Sequence, residues 1–258
     1  MADISFQSTR PEAGASAPTV VLGSSLGTDH TMWFDQVRLL PSEWNVVTFD
    51  LRGHGGSALS ETEPTIDDFA DDVIGVVDRL GVQRFAFCGL SIGGVIGQNL
   101  AVRYPDRLEA LVLASTGLTI LSPTALRDRA ARVLDEGTGW IADLSSTRWF
   151  TESFRENHPD QVADQMSHLR GMDPGGYAHA CLALAGFDGH EDAGSIETPT
   201  LVISGDDDVA TPPSHSAELV AAIPGARLHR IPDAAHLCSV EQPQFFTDLV
   251  NAHVTEHR

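Results

Sequence analysis

The sequence contains no lysine, and all 16 of its basic residues are arginines, against 36 aspartates and glutamates. The formal net charge of −20 repels other polyanions, so nucleic acid and anionic membrane surfaces are not expected partners. An anionic substrate needs a local arginine to overcome this general field. The composition leaves the oligomeric state open.

Cysteine is also scarce, and Cys88, Cys181 and Cys238 lack the spacing of metal ligands. Their odd number argues against a disulfide framework and fits a reducing cytoplasm. No apolar run approaches the roughly 18 residues that cross a membrane, and residues 1–10 lack the pattern of a signal peptide. We therefore expect a cytoplasmic protein without a metal site, whose cysteines are buried as small hydrophobic residues.

Short β-branched runs alternate with helical patterns along most of the chain. Strands are predicted at 19–22, 46–49, 84–88, 108–114, 200–204 and 227–231. This alternation is typical of an α/β fold with a mostly parallel central sheet, flanking helices and right-handed crossovers.

The alternation stops at about residue 117 and resumes near residue 195. The intervening stretch shows only helical patterns, at 124–135, 146–154, 161–169 and 177–185. We therefore expect residues 1–116 and 195–258 to form the core. Residues 117–194 are expected to form a helical cap, inserted before the last two strands over the carboxyl edge of the sheet.

The stretch Gly89-Leu90-Ser91-Ile92-Gly93 reads G-x-S-x-G between a predicted strand and a predicted helix. In this context the pattern is typical of a nucleophile elbow, a tight turn that exposes the serine hydroxyl at the end of the sheet. The glycines are needed because side chains there would collide with the neighbouring strand and helix. The alternative is a glycine-rich turn with a helix-capping serine. We interpret Ser91 as the nucleophile.

A serine hydroxyl needs a base to accept its proton, and the base needs an orienting acid. His236 is the candidate base because it follows the final predicted strand in a loop that can reach the sheet edge. His54, in a glycine-rich loop at the same edge, is the alternative candidate for the base, although we favour a position for it in the wall of the site.

The candidate acid is Asp208, which completes the pattern G-x-x-D-x-x-x-P between Gly205 and Pro212. Its neighbours Asp206 and Asp207 are alternatives that could cap the turn or face solvent instead.

A tetrahedral intermediate carries negative charge on the former carbonyl oxygen, which two backbone N–H groups should stabilise. Ile92 is expected to supply one, at the N-terminus of the elbow helix. Leu26 is expected to supply the other, from the small-residue loop Ser24–Thr28 after the first buried strand. The alternative for this loop is a plain turn.

With these residues in place, the chain resembles the α/β-hydrolase superfamily over nearly its whole length. Within it, the chain most resembles the 3-oxoadipate enol-lactonases of bacterial aromatic degradation. The closer resemblance rests on segments outside the elbow: Ser25-Leu26-Gly27-Thr28-Asp29 with Met32-Trp33, Arg148-Trp149-Phe150-Thr151, Gly176-Tyr177-Ala178 with Cys181, Gly205-Asp206-Asp207-Asp208 with Ala210-Thr211-Pro212-Pro213, and Ala234-Ala235-His236-Leu237. One departure is Ser24, where this family is expected to carry asparagine.

The resemblance implies a carboxylic-ester hydrolase that converts 3-oxoadipate enol-lactone, a small lactone bearing a carboxylate, to 3-oxoadipate. The route runs through an acyl-enzyme on Ser91 and needs no cofactor. One alternative is a general carboxylesterase or cofactor-free haloperoxidase with the same triad. Another is a ligand-sensing protein with slow hydrolysis.

The substrate carboxylate then needs a partner in this acidic protein. Arg148 is one candidate, since a guanidinium binds a carboxylate bidentately, although it could equally be solvated or paired with Glu152. Ser25, Trp140 and Trp149 are candidate substrate-binding residues. The alternative for the two tryptophans is packing between the cap helices.

Overall fold

The computed structural model describes residues 3–10 and 18–258. Seven strands form one sheet: β1 Phe6–Ser8, β2 Thr19–Gly23, β3 Asn45–Phe49, β4 Phe85–Leu90, β5 Leu108–Ala114, β6 Thr200–Gly205 and β7 Arg227–Ile231. Their order across the sheet is β1-β3-β2-β4-β5-β6-β7. Only β1 and β3 pair antiparallel, and all other neighbouring strands are parallel. The prediction of a mostly parallel sheet is confirmed.

Helices pack against this sheet. They are α1 Phe34–Leu39, α2 Ile66–Arg79, α3 Ile92–Arg103, α4 Pro123–Glu136, α5 Gly139–Trp149, α6 Glu152–Asn157, α7 Pro159–Gly171, α8 Pro174–Ala185, α9 Pro213–Ala222, α10 Cys238–Glu241 and α11 Pro243–His257. Of these, α3, α9 and α11 are in direct contact with its strands. No helix in the described ranges is both long enough and apolar enough to cross a membrane.

Helix α2 shows how the sequence specifies these elements. Thr65 and Asp68 form a capping box, in which each side chain accepts the backbone N–H of the other residue. The buried face carries apolar residues at helical spacing, from Ile66 and Phe69 to Val76. The chain turns away at Gly81, which adopts a positive φ of 70°.

The parallel strands bring their carboxyl ends to one edge of the sheet. In register, Gly23 lies opposite Gly89, and Leu90 lies opposite Ala114. Strand β4 is buried along its whole length, as expected for a central strand covered on both faces. The loops that follow β2, β4, β6 and β7 therefore converge at this edge.

Residues 115–199, all of which the structure describes, contain helices α4–α8 and no strand. We call α4–α8 the cap. The predicted helix at 146–154 is wrong in detail, because α5 ends at Trp149 and Phe150 is extended, with φ −131° and ψ 143°. Thr151 then caps α6 through a hydrogen bond to the N–H of Phe154. At this break a carboxylate outside the cap, that of Glu241, accepts the N–H of Thr151.

Candidate active site

Ser91 lies between β4 and α3 in a strained turn, with φ 59° and ψ −116°. Such a conformation costs a non-glycine residue on the order of 1–3 kcal/mol, so its surroundings must impose it. The N–H of Ser91 donates to the carbonyl of Ala114 at 2.9 Å, and the Thr116 hydroxyl donates to the Ser91 carbonyl at 2.8 Å. The Ser91 side chain makes no capping hydrogen bond to α3, which argues against the capping alternative.

The glycines of the elbow allow α3 to approach the sheet closely. A Cβ atom on Gly89 would lie 2.1 Å from the carbonyl oxygen of Gly93, and one on Gly93 would lie 2.3 Å from that of Gly23. Neither distance is compatible with a side chain, so backbone packs directly on backbone at both positions. This contact sets the sharpness of the turn that holds Ser91.

Asp208 and His236 form a buried pair at the same edge of the sheet. The Asp208 Oδ2 atom lies 2.9 Å from His236 Nδ1, and the two residues are only 2% and 3% exposed. The Thr211 hydroxyl donates to the same carboxylate oxygen at 2.7 Å. Because a carboxylate can only accept, Nδ1 carries the proton and Nε2 is left as a base.

The Asp208 carboxylate is held in its charged form. Burial alone would raise its pKa, but the charge of His236 and hydrogen bonds from His236 and Thr211 hold the pKa below its ordinary value. By contrast, Asp206 pairs with Arg230 at 2.6 Å on the surface, and Asp207 is exposed. Of the three adjacent aspartates, Asp208 alone is buried beside an imidazole.

A cavity that opens to solvent connects Ser91 and His236 with the cap. It is bordered by the predicted residues Ser25, Leu26, Arg148 and Trp149, and also by Ile120, Leu121, Leu126, Arg129, Ile141, Ser145, Tyr177, Leu184 and Ala210. Ile92 begins α3, so its N–H has no acceptor within the helix, although Ile92 is not among the residues that border the cavity. Five of the predicted site residues thus lie around one space with Ser91.

Trp140 does not border this cavity. Its ring instead lies against Arg132, whose guanidinium carbon is 3.9 Å from the ring centre. Arg132 also pairs with Glu136 one turn along α4. These contacts favour packing within the cap as the role of Trp140. Trp149 borders the cavity, which favours the substrate-binding alternative for that residue.

Sequence reasoning missed Arg129, which borders the cavity from α4. Several arginines crowd this helix, and composition does not distinguish them. The available signal was helical spacing, since Arg129 follows the buried Leu126 by three residues while Arg127 is exposed. Tyr177 was noted only as part of a motif, and it too borders the cavity.

His54 supports the loop that follows β2. Its Nδ1 lies 3.1 Å from the Arg52 carbonyl, and its Nε2 lies 3.4 Å from the N–H of Gly27. A carbonyl can only accept and an N–H can only donate, so His54 is neutral with its proton on Nδ1. Burial lowers its pKa to about 4. The structure thus places His54 behind the candidate oxyanion loop rather than in contact with Ser91.

The three cysteines are free and buried, and burial raises the pKa of the Cys88 and Cys238 thiols. Within residues 3–10 and 18–258, no group of three or more histidine, cysteine or carboxylate side chains is arranged to hold a metal ion.

Known proteins resemble this chain in both sequence and fold. The model of the family described as alpha/beta hydrolase fold matches residues 18–243. The 3-oxoadipate enol-lactonase 2 of Acinetobacter baylyi is 36% identical over 92% of this chain and 89% of its own length. A protein from a Caulobacter species named as a carbamate hydrolase, RutD, is 33% identical over 90% of this chain and 88% of its own length.

The crystal structure of the enol-lactonase from Burkholderia xenovorans superposes with a TM-score of 0.94 at 37% identity, covering 98% of this chain and 97% of that one. These similarities confirm both the fold class and the resemblance to enol-lactonases that the sequence motifs predicted. They support hydrolase activity on this fold. The chain belongs to the α/β-hydrolase family.

Proposed function

We propose that this protein is an enol-lactonase that opens a small lactone bearing a carboxylate, such as 3-oxoadipate enol-lactone, in the bacterial degradation of aromatic compounds. The observation that carries the proposal is the pair Arg129 and Arg148, which border the same cavity as Ser91 and His236. Its enol-lactonase relatives, at 36–37% identity, support the same substrate class.

In the proposed reaction, Nε2 of His236 accepts the proton of Ser91 as Oγ attacks the ring carbonyl. The ring C–O bond then breaks, and the enolate leaves with a proton from His236 before the enol tautomerises to the ketone. Water, deprotonated by His236, attacks the acyl-enzyme. The ester C–O bond to Ser91 then breaks, Oγ regains its proton from His236, and the second carboxylate is released. Asp208 holds the imidazole in the required tautomer and stabilises the imidazolium at each proton transfer.

The backbone N–H groups of Leu26 and Ile92 are the proposed oxyanion donors. Leu26 borders the cavity, and Ile92 stands at the N-terminus of α3, where a developing negative charge is favoured. The contact between His54 and Gly27 supports this role, because it fixes the peptide that follows Leu26.

The substrate carboxylate is proposed to bind between Arg129 and Arg148. Neither guanidinium forms an ion pair with a carboxylate in the part of the chain that the structure describes, whereas Arg52, Arg103 and Arg170 all do. Burial raises the pKa of the Tyr177 phenol, the charges of Arg129 and Arg148 oppose that rise, and all three side chains border the same cavity. In a protein with a net charge of −20, two cavity arginines without acidic partners favour an anionic ligand.

Residues 117–194 act as the cap unit that selects the substrate, and residues 1–116 and 195–258 act as the catalytic core. The protein is proposed to work in the cytoplasm on a small molecule without a cofactor.

A panel of three substrates tests the proposal: 3-oxoadipate enol-lactone, p-nitrophenyl acetate and a simple alkyl carbamate. We expect kcat/KM for the lactone to exceed both others by about a hundredfold or more, since two charged contacts discriminate in its favour. Preference for the ester would favour a general carboxylesterase, and preference for the carbamate would favour the activity named for the RutD relative. Either preference would overturn the lactonase assignment.

A further inference from the structure

Glu241, at the end of α10, is a buried carboxylate without a cationic partner among the described residues. It is only 8% exposed. Its Oε1 accepts both the N–H and the hydroxyl of Thr151 at 2.8 Å each, and its Oε2 accepts the N–H of Ala235. These three donors compensate the carboxylate for the hydration that it loses on burial.

The partners of Glu241 lie in two separate parts of the molecule. Thr151 connects α5 to α6 in the cap, 90 positions away from Glu241 in sequence. Ala235 immediately precedes His236 in the loop after β7. One carboxylate therefore joins the cap to the loop that carries the candidate base.

A second contact joins the same two segments on the other side of His236. The N–H of Leu237 donates to the carbonyl of Trp149 at 3.0 Å. Trp149 also borders the cavity in front of Ser91. The backbone is thus fixed at both neighbours of His236, by Glu241 on one side and by the cap on the other.

The energetic balance at Glu241 argues against a purely stabilising role. Burial raises the pKa of Glu241, although hydrogen bonds from Thr151 and Ala235 oppose the rise. Removing a carboxylate from water is costly, and apolar side chains usually stabilise a core at least as well. A carboxylate differs from an apolar side chain because its hydrogen bonds are directional. Its two oxygens specify where two backbone segments must lie.

We propose that Glu241 is a positioning residue that holds the backbone of His236 within reach of Ser91 and couples that position to the cap. The proposal rests on the proposed roles of Ser91 and His236. Glu241 acts on the loop that carries the imidazole, whereas Asp208 acts on the imidazole itself.

The test is the substitution Glu241→Gln, which preserves size but replaces one acceptor oxygen with an NH₂ group. The amide cannot accept hydrogen bonds from Thr151 and Ala235 on both sides, so one segment loses its fixed position. We expect kcat for p-nitrophenyl acetate to fall about tenfold or more with KM within about threefold, because small displacements of a catalytic group carry large rate penalties. The rate of inactivation by a serine-reactive organophosphonate should fall by the same factor.

The matched control is Glu152→Gln, which removes an exposed carboxylate beside Thr151. It should leave both rates unchanged. Thr151→Val removes the hydroxyl that donates to Glu241 and also caps α6, and it should give a smaller loss than Glu241→Gln. Thr151→Ser keeps the hydroxyl for both contacts and should show the wild-type rate. Each rate is normalised to the folded fraction, measured by circular dichroism at the assay temperature.

If Glu241→Gln lowers the melting temperature but leaves kcat and the inactivation rate per folded molecule unchanged, the role is structural and the proposal fails. If that variant does not fold, the Thr151 pair decides, and equal rates for valine, serine and wild type would overturn the proposal. Neither assay uses a lactone, so the effect of Glu241→Gln can still be interpreted if the lactonase assignment fails.

Discussion

Nδ1 of His236 lies 2.9 Å from the carboxylate of Asp208, 28 positions earlier in the chain. Replacing Asp208 with asparagine should favour the wrong imidazole tautomer, because the amide can donate a hydrogen bond to Nδ1. We expect Asp208→Asn to lower kcat by about 10⁴-fold, by analogy with the serine-protease triad, while circular dichroism shows an unchanged fold.

Asp206→Asn is the matched control, since this residue makes only a surface ion pair with Arg230. Its kcat should remain within about twofold of wild type, as expected for an exposed pair. If Asp206→Asn proved the more damaging of the two, the acid would have to be reassigned.

Ser91→Ala and His236→Ala should each lower kcat for lactone and ester by at least about 10³-fold, because the nucleophile and its base act as a unit. The double variant should be no slower than either single variant. Kinetics at saturating substrate measure this, with melting temperatures as the control for folding. Turnover close to wild type in either single variant would refute the triad.

Arg129→Met and Arg148→Met should separate the two substrate classes. Each variant is expected to lower kcat/KM for the carboxylate-bearing lactone by about tenfold to a hundredfold, the value of a charged hydrogen bond. Turnover of p-nitrophenyl acetate, which has no carboxylate, should change by less than about threefold.

Arg127→Met provides the matched control, because this arginine is exposed on the same helix. It should affect neither substrate. If the cavity variants slowed ester and lactone equally, the arginines would not be carboxylate ligands.

The pH dependence of stability should report the buried, neutral His54. Burial lowers its folded-state pKa to about 4 from 6.5, so the unfolded chain binds the proton first as the pH falls. The contribution of neutral His54 to the free energy of unfolding is present above pH 6.5 and is lost as the pH falls toward 4. Between pH 7.5 and 5.0 it amounts to about 2 kcal/mol of unfolding free energy.

Urea denaturation of His54→Gln at the two pH values measures this contribution. The variant should lose less stability between pH 7.5 and 5.0 than wild type does, although His253, whose pKa burial also lowers to about 4, keeps its share. His229→Gln, at an exposed position of β7, should behave like wild type. An unchanged pH dependence in His54→Gln would show that His54 is not held neutral.

The close approach of α3 to β2 predicts a severe packing defect in Gly93→Ala. Its Cβ would lie 2.3 Å from the Gly23 carbonyl oxygen, so backbone must move. We expect a loss of more than about 3 kcal/mol in unfolding free energy, or failure to fold. Gly171→Ala, at the end of α7 with no atom within 4 Å of the added Cβ, should change stability little. A stable Gly93→Ala protein would contradict this account of the elbow.

Local patterns in the sequence predicted much of the fold. The elbow turn depends on glycines because backbone atoms occupy the space that a side chain would need. Helix α2 carries its own capping box and apolar face. The helix predicted at 146–154 failed for the opposite reason. At its interruption the N–H of Thr151 donates to Glu241, a residue far away in sequence that no local pattern reveals.

The candidate site divides in the same way. Ser91, Asp208 and His236 each follow a strand at a recognisable motif, so chain order alone nominated them. Arg129 and Glu241 carry no motif, and Trp140 looked as suitable as Trp149. Whether Arg129, Trp140 or Trp149 reaches the cavity depends on how α4 and α5 are rotated against the core.

The sequence by itself determined the parallel sheet, the elbow and the nomination of Ser91, Asp208 and His236. Each strand, helix and motif depends on spacing between near neighbours in the chain, where steric limits and hydrogen bonding act locally, and their order along the chain then indicated the sheet and the three site residues. The tertiary structure decided which arginines lack an acidic partner, which tryptophan faces the cavity and how Glu241 joins the cap to the His236 loop. Those relationships connect residues far apart in the chain, and they exist only once packing has fixed the helices relative to one another.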